Sequence, residues 1–312
     1  MKEIIVALAG QPNCGKSTMF NSLTGATARV GNYPGITVER MEGYCKIGGY
    51  KIKFIDLPGT YSLTSYSLEE VVARNVIIDE HPDVILCMLD TTAIERSLYL
   101  AIQLIELKKP IVIGLNMMDE IKRDGIKINT ATLSSKLGVP IVECVARRGE
   151  GKEEVLKSII ELYEYSNLKT SALSISYGYD IDLTISDMVK IIEQKKFMID
   201  KYPSRWIAVK YIEEDKHIHK KGFVFNKEVS EQLDAIIKKL KEHIEKSQKT
   251  YPEAIVTDYR YGAINSILKD GVITRPDIFR RTVSEVIDKF LTNRVLGPII
   301  MIAVLYLMFW VT

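Results

Sequence analysis

The sequence predicts an α/β protein, with a mostly parallel sheet carrying a phosphate-binding loop, then an all-helical domain and the start of a transmembrane helix. Three observations predict it. Short, continuously apolar runs alternate with longer helix-like stretches over the first half of the chain. A Gly-rich GxxxxGKS segment follows the first of those runs, and the last residues form an uncharged apolar stretch.

Ile4 to Ala9, Ile52 to Ile55, Val84 to Leu89, Ile111 to Leu115 and Val139 to Cys144 read as strands. They are apolar throughout, as parallel strands covered on both faces are. Gly48-Gly49 between Cys45–Ile47 and Tyr50–Ile55 is a hairpin signal, so one edge strand is expected to be antiparallel. In such a sheet the ligand site lies at the carboxyl ends of the strands. Met1 runs straight into the first strand, and no secretory signal is expected.

Past about Leu168 the pattern changes to Lys, Glu and Ile at helical spacing, as in Leu233, Ile236, Ile237, Leu240 and Ile244. Further helices are expected over Asp258–Asp270 and Asp277–Leu291, with Pro276 near the start of the second. The charges of this region are read as solvated helix faces. Leu296 to Val311 is uncharged and apolar all round, unlike a surface helix, with Arg280, Arg281, Lys289 and Arg294 just before it. It is shorter than the roughly 20 residues needed to span a bilayer, so it is expected to be the first part of a transmembrane helix. The expected divisions are 1–165, 166–290 and 291–312.

The chain has 312 residues, enough for two domains. Its 42 Lys and Arg against 40 Asp and Glu leave a formal charge of +2, which gives no argument for a nucleic-acid partner. Cys14, Cys45, Cys87 and Cys144 are far apart with no CxxC pair, which excludes a disulfide scaffold or zinc ribbon and suits a reducing compartment.

Gly10-Gln11-Pro12-Asn13-Cys14-Gly15-Lys16-Ser17-Thr18 sits between a predicted strand and a predicted helix, the context that makes GxxxxGK[ST] diagnostic of a phosphate loop. Its backbone N–H groups and the helix N-terminus cradle phosphate. Lys16 is expected on the β- and γ-phosphates and the Ser17 hydroxyl on Mg²⁺. Asp56-Leu57-Pro58-Gly59 closes a strand, placing a carboxylate near Mg²⁺ and the Gly59 N–H where it can sense a γ-phosphate. Asn116-Met117-Met118-Asp119 closes another. A carboxylate there accepts from the N1–H and N2 amine of guanine and rejects adenine. Gly35-Ile36-Thr37-Val38-Glu39 supplies Thr37 to close on Mg²⁺. Cys144-Val145-Ala146 ends the last strand, where the backbone of Val145 and Ala146 can meet guanine O6. Together the five segments read as a GTPase domain binding GTP, GDP and Mg²⁺.

The set, with Asn13 in the loop, resembles the translation-factor-related GTPases. Val30-Gly31-Asn32-Tyr33-Pro34-Gly35-Ile36-Thr37-Val38-Glu39, Leu57-Pro58-Gly59-Thr60-Tyr61-Ser62-Leu63, and Arg294-Val295-Leu296-Gly297 before an apolar helix are similar to the ferrous iron transport protein B family, FeoB. That resemblance implies a GTPase domain, a helical spacer often called GDI-like, and a polytopic membrane domain. It implies Fe²⁺ uptake coupled to or regulated by GTP hydrolysis, on the cytoplasmic side of the inner (plasma) membrane. Small Feo accessory proteins and homo-oligomers are partners it allows. Carried over, Lys16, Asn13, Thr37 and Gly59 are the catalytic positions, and Ser17, Thr37 and Asp56 hold Mg²⁺. Asn116 and Asp119 read guanine. Asn13 is similar to the asparagine that holds K⁺ in potassium-activated members.

Two departures have consequences. Thr60 stands where other GTPases place a water-orienting Gln, which predicts slow intrinsic turnover. Met117, and the absence of a hydroxyl in Cys144-Val145-Ala146, predict modest nucleotide affinity and easy GDP release. The Glu213-to-His219 cluster is read as a solvated loop or strand end rather than a metal site, because HxH spacing suits neither face of a helix. Cys14 and Cys87 are read as core or loop residues, and the Tyr and Phe of the helical half as packing. Two other readings compete. One is a soluble K⁺-dependent GTPase of ribosome assembly or tRNA modification. The other is a membrane signalling GTPase on a single anchor.

Overall fold

The computed structural model describes residues 2–25, 29–33, 38–64, 66–165, 173–275, 291 and 296–311. The chain forms two compact units, Met1–Thr274 and Arg275–Thr312.

The first unit is built on a seven-stranded sheet. Its strands are β1 (Lys2–Gly10), β2 (Arg29–Asn32), β3 (Glu39–Ile47), β4 (Tyr50–Asp56), β5 (Val84–Asp90), β6 (Ile111–Asn116) and, after a two-stranded ribbon element β7 (Lys127–Ile128), β8 (Ile141–Glu143). The order is β2-β3-β4-β1-β5-β6-β8. β1 pairs in parallel with β4 and β5, as β5 does with β6 and β6 with β8, while β3 runs antiparallel to β4 across the Gly48-Gly49 turn. The expected hairpin and parallel core are both present. β1 therefore has earlier connections on one side and later ones on the other, and the crevice at that reversal is where a ligand sits in such sheets.

Two details differ from the sequence reading. β2 is exposed along its whole length and carries no apolar run to announce it. The strand expected over Val139–Cys144 narrows to Ile141–Glu143, because Pro140 lacks an N–H and contributes only its carbonyl, to Ile113 N.

Helices cover both faces of the sheet. On one face α1 (Lys16–Thr24) and α6 (Lys152–Glu164) pack on Ile4, Val6, Leu8, Leu86 and Met88. On the other, α2 (Leu68–Asp79), α3 (Ile94–Glu106) and α5 (Thr130–Leu137) cover Ala7, Ala9, Ile85, Cys87 and Ile113, and α4 (Met118–Arg123) follows β6. α3 is buried on nearly every side from Ser97 to Ile105, the signature of a helix sandwiched between two layers.

The outer layer is the helical region, α7 (Tyr179–Gln194), α8 (Ser204–Ile212), α9 (Lys216–Phe225), α10 (Lys227–Gln248) and α11 (Pro252–Lys269). Its core residues, such as Ile185, Trp206, Leu233 and Ile264, are continuous with the sheet's second face. β9 (Ile273–Thr274) then returns to pair antiparallel with β7.

The charge reading of this region needs correction. Glu213 to His219 is no solvated loop: α9 begins at Lys216, and the Asp215 carboxylate caps it by accepting from His217 N and Ile218 N. Asp215 also meets Arg74 of α2 at 2.5 Å, with Arg74 fully buried. Glu213 accepts from Arg260 and, at 2.7 Å, from Lys210, while Arg260 also reaches Glu106 at 2.9 Å. These charges seal the two layers together, and the periodicity of α11 gave no sign that Arg260 points inward.

In the second unit, Leu296–Val311 forms a helix of 16 residues. Among the described residues, no helix is long and apolar enough to cross a membrane. The helix expected over Asp277–Leu291 lies outside the described residues except at Leu291.

Candidate nucleotide site

Four loops meet at the carboxyl ends of β1, β4, β6 and β8. The first runs from Gly10 at the end of β1 to Lys16 at the start of α1. Gly15 has a φ of 84° and Asn13 a φ of 66°, left-handed turns that curl the backbone before the helix. A Cβ on Gly15 would overlap the Asn116 amide, and one on Gly10 would lie 2.7 Å from Cys14 Sγ. Gly10 is therefore required by contact, and Gly15 by contact as well as by turn. Pro12, Asn13, Ser17 and Thr18 are exposed along the loop and first turn, while Gln11 and Cys14 point into the protein. Burial pushes the Cys14 thiol up to about 11, so it is a packing group rather than a nucleophile.

Lys16 is nearly buried and pairs with Asp56 Oδ1 at 2.5 Å. Burial raises the Asp56 carboxyl above its ordinary range, and the Lys16 ammonium opposes that shift. The switch-like segment after Asp56 is pinned to the phosphate loop by its backbone. Leu57 N donates to Leu8 O at 3.0 Å and Thr60 N to Gly10 O at 3.1 Å. Gly59 lies against Pro12, where a Cβ would come within 3.2 Å of the Pro12 nitrogen.

Asn116 ties three loops. Its Nδ2 donates to Cys14 O at 2.9 Å, and Ala146 N donates to its Oδ1 at 2.8 Å. Met117, left-handed at φ 63°, turns the chain into α4 so that Asp119 lies in the first helical turn. Both ends of the Asn116 amide are thus engaged within the protein. Its contacts tie these loops together, and Asn116 and Asp119 both stand as candidate base-reading positions. Val145 and Ala146 are buried beside it.

Val38 fixes the end of the second loop, its carbonyl accepting from Tyr33 N, and Glu39 opens β3. Gly35, Ile36 and Thr37 lie outside the described residues.

Several neighbours escaped the sequence reading. Arg147 donates to Asp119 Oδ2, and Arg148 lies 3.6 Å from the same atom. Gln11 Nε2 donates to Arg96 O at 2.7 Å, and the Arg96 guanidinium lies 4.1 Å over the Tyr61 ring. Gln103 Oε1 accepts from Leu63 N at 2.6 Å. Glu70 gathers Ser62 Oγ at 2.6 Å, Thr64 Oγ1 at 2.7 Å and Ser67 N at 3.3 Å. Only the last had a visible signal, the Ser67-Leu68-Glu69-Glu70 capping box that opens α2.

The residues present suit a nucleotide with its metal. The loop backbone leaves no room for side chains at Gly10 and Gly15, and Ser17 and Asp56 offer the hard oxygen donors that Mg²⁺ prefers. Sheet order, glycine-lined loop and the Asn116 stitch define a P-loop GTPase fold.

A family model described as ferrous iron transport protein B matches residues 4–159, and one described as the FeoB cytosolic helical domain matches residues 177–273. The chain belongs to the ferrous iron transport protein B family. The Fe(2+) transporter FeoB of Escherichia coli K12 is 34% identical over 316 residues, covering 99% of this chain and 38% of that protein. A Porphyromonas gingivalis Fe(2+) transport protein A/FeoB fusion protein is 38% identical, covering 99% of this chain and 37% of the fusion. The chain therefore spans less than two fifths of these curated relatives. Among solved structures, the cytosolic domain of T. maritima FeoB in its GMPPNP form aligns at a TM-score of 0.74 with 30% identity, covering 87% of this chain and 99% of that one. A GDP-bound mutant of the S. thermophilus FeoB G-domain aligns at 0.75 with 32% identity, covering 88% and 100%.

Proposed function

We propose that this chain is the cytoplasmic GTP-binding and GTP-hydrolysing region of a ferrous iron membrane transporter, and that its nucleotide state couples to or regulates Fe²⁺ uptake. The observation that carries the reading is the Asn116 stitch. It holds the phosphate loop, the Asp119 turn and the 144–146 loop as one rigid pocket, so phosphate and base are gripped together. Full-length relatives described as Fe(2+) transporters support the iron assignment.

Lys16 supplies positive charge to the β- and γ-phosphates, and the loop N–H groups and α1 terminus add theirs. Ser17, Asp56 and Thr37 would hold Mg²⁺ and Asn13 would hold K⁺, and the two cations would neutralise phosphate charge. Thr60 commits its N–H to Gly10 O and is itself buried, so only its short hydroxyl stands where a Gln amide would orient water. Slow intrinsic turnover follows. Membrane attachment, Feo accessory proteins and self-association belong to the same reading.

The test is nucleotide selectivity. Wild type should bind GDP over ADP and XDP, and Asp119→Asn should shift preference to XDP, because an amide complements the xanthine 2-oxo group. Equal affinity for ADP and GDP would end the guanine reading. Hydrolysis in KCl against NaCl, with Asn13→Ala alongside, tests the cation, and equal wild-type rates would remove K⁺.

A further inference from the structure

The corner where α9 meets α10 carries an apolar cluster that nothing in the nucleotide chemistry uses. Phe223, Val224 and Phe225 are 48%, 81% and 55% exposed at the end of α9. Only Asn226 separates the two helices, and its side chain caps α10 by accepting from Val229 N. The chain therefore turns sharply, and the three side chains stand at the tip of the turn.

The tip is held firmly from behind. Gly222 is buried against Tyr211 and Phe197, and a Cβ there would overlap the Tyr211 hydroxyl. The Phe225 ring meets Phe197 edge-on at 5.7 Å, and Phe197 meets Tyr211 at 6.2 Å. With its inner side locked, the helix has no local rotation that would hide Val224. Ile199, in the same loop as Phe197, adds a fourth exposed apolar side chain.

The surround is basic. Lys195 and Lys196 precede Phe197, Lys220 lies one turn before Val224, and Lys227 Nζ sits 5.3 Å over the Phe223 ring. Lys227 also faces Glu231 at 3.7 Å, and Asp200 and Glu228 are the other acids in these segments. Among the described residues, Lys195, Lys196 and Lys220 have no ion-pair partner. Rigid aromatic and aliphatic side chains flanked along the chain by exposed lysines complement an anionic bilayer surface. The apolar groups enter the headgroup boundary and the ammonium groups remain among the phosphates.

We propose that this corner is a membrane-contacting tip, docking the helical region on the anionic face of a lipid bilayer. The proposal stands on these residues alone and goes beyond the nucleotide reading, since none of them touches the nucleotide site.

The test uses the full chain with Cys45→Ser, which leaves the three native thiols buried, and Val224→Cys carrying an environment-sensitive fluorophore. The labelled protein is mixed with vesicles of phosphatidylcholine alone or of phosphatidylcholine with phosphatidylglycerol. The label reports its own position, so binding through the apolar Leu296–Val311 helix does not register as docking of the tip. Expected is a blue-shifted, brominated-lipid-quenched emission on the anionic vesicles, with apparent affinity falling roughly tenfold on combining Lys196→Glu and Lys220→Glu. GDP binding measured on the same samples should be unchanged. A label that stays in water on both vesicles, or responds equally to both, overturns the proposal. So does a shift without lipid that disappears on dilution, which would assign the tip to a second copy of the chain.

Discussion

Asn116 and Ala146 meet through a 2.8 Å hydrogen bond from the Ala146 amide, while the other end of the Asn116 amide holds the carbonyl of Cys14. One side chain thereby sets the distance between the phosphate loop and the base loop. Asn116→Ala leaves a buried donor and a buried acceptor unsatisfied, each worth about 1–3 kcal/mol. Both a lower Tm and a loss of GDP affinity of at least about tenfold are expected. Calorimetric GDP titration beside a thermal melt checks this, and an unchanged affinity would show that the two loops are positioned independently.

The Asp119 carboxylate, proposed above to read the base, has a competitor within the protein. The Arg147 guanidinium beside Asp119 holds its carboxyl below the usual range and occupies Oδ2. Guanine needs that carboxylate, so Arg147→Ala is expected to tighten GDP binding a few-fold and to reduce the salt dependence of the dissociation constant. Weaker binding in the variant would mean that Arg147 supports the base instead.

Gly15→Ala tests the loop geometry. A φ of 84° costs an L-residue roughly 1–2 kcal/mol, and the added methyl overlaps the Asn116 amide. The variant is expected to fold with a lowered Tm and to lose measurable GDP binding in fluorescence titration. Gly25→Ala, at φ 59° and ψ −136° and with a Cβ that would meet nothing within 4 Å, carries a larger backbone strain with no overlap and should keep GDP binding.

The buried charges between the layers predict an acid transition. Burial opposes ionisation of Glu213, but Arg260 and Lys210 outweigh it and hold the carboxyl at about 2, against an ordinary 4.5. The unfolded chain therefore binds the proton first. Stability from this group is complete above about pH 4.5 and is lost as pH falls toward 2. Glu213→Gln should cost about 3–5 kcal/mol at neutral pH by stranding Lys210 and leaving Arg260 with Glu106 alone, and its stability should fall less steeply below pH 4.5. Urea unfolding of both proteins from pH 7 to 3 measures the two slopes, and parallel curves would show that Glu213 titrates without effect on folding.

Much of this was legible in the residues. Continuous apolar runs located the parallel strands, because strands covered on both faces have no polar side to show. The phosphate loop, Asp56-Leu57-Pro58-Gly59 and Asn116-Met117-Met118-Asp119 were visible because contact with a ligand fixes residue identity at fixed offsets. Arg74, Arg260, Glu213 and Asp215 were invisible as core for the opposite reason: a buried ion pair looks in sequence like two surface charges. The loop-tying contacts of Asn116 were not legible because its partners are backbone groups, which carry no sequence signal. Arg147 was passed over since nothing in its own neighbourhood in sequence marks Asp119 as its partner.

The two-residue ladder between β7 and β9 has a mechanical meaning. Lys127 pairs with Thr274 and Ile128 with Ile273, and β7 begins eight residues after Asp119. A pull or twist applied to the chain beyond Thr274 would be resisted first by that ladder and by the Asn129 bond to Val272 O. From there it passes through the short helix α4 to Asp119. The exit point of this unit is thus also a handle on its nucleotide pocket, reached without crossing the sheet.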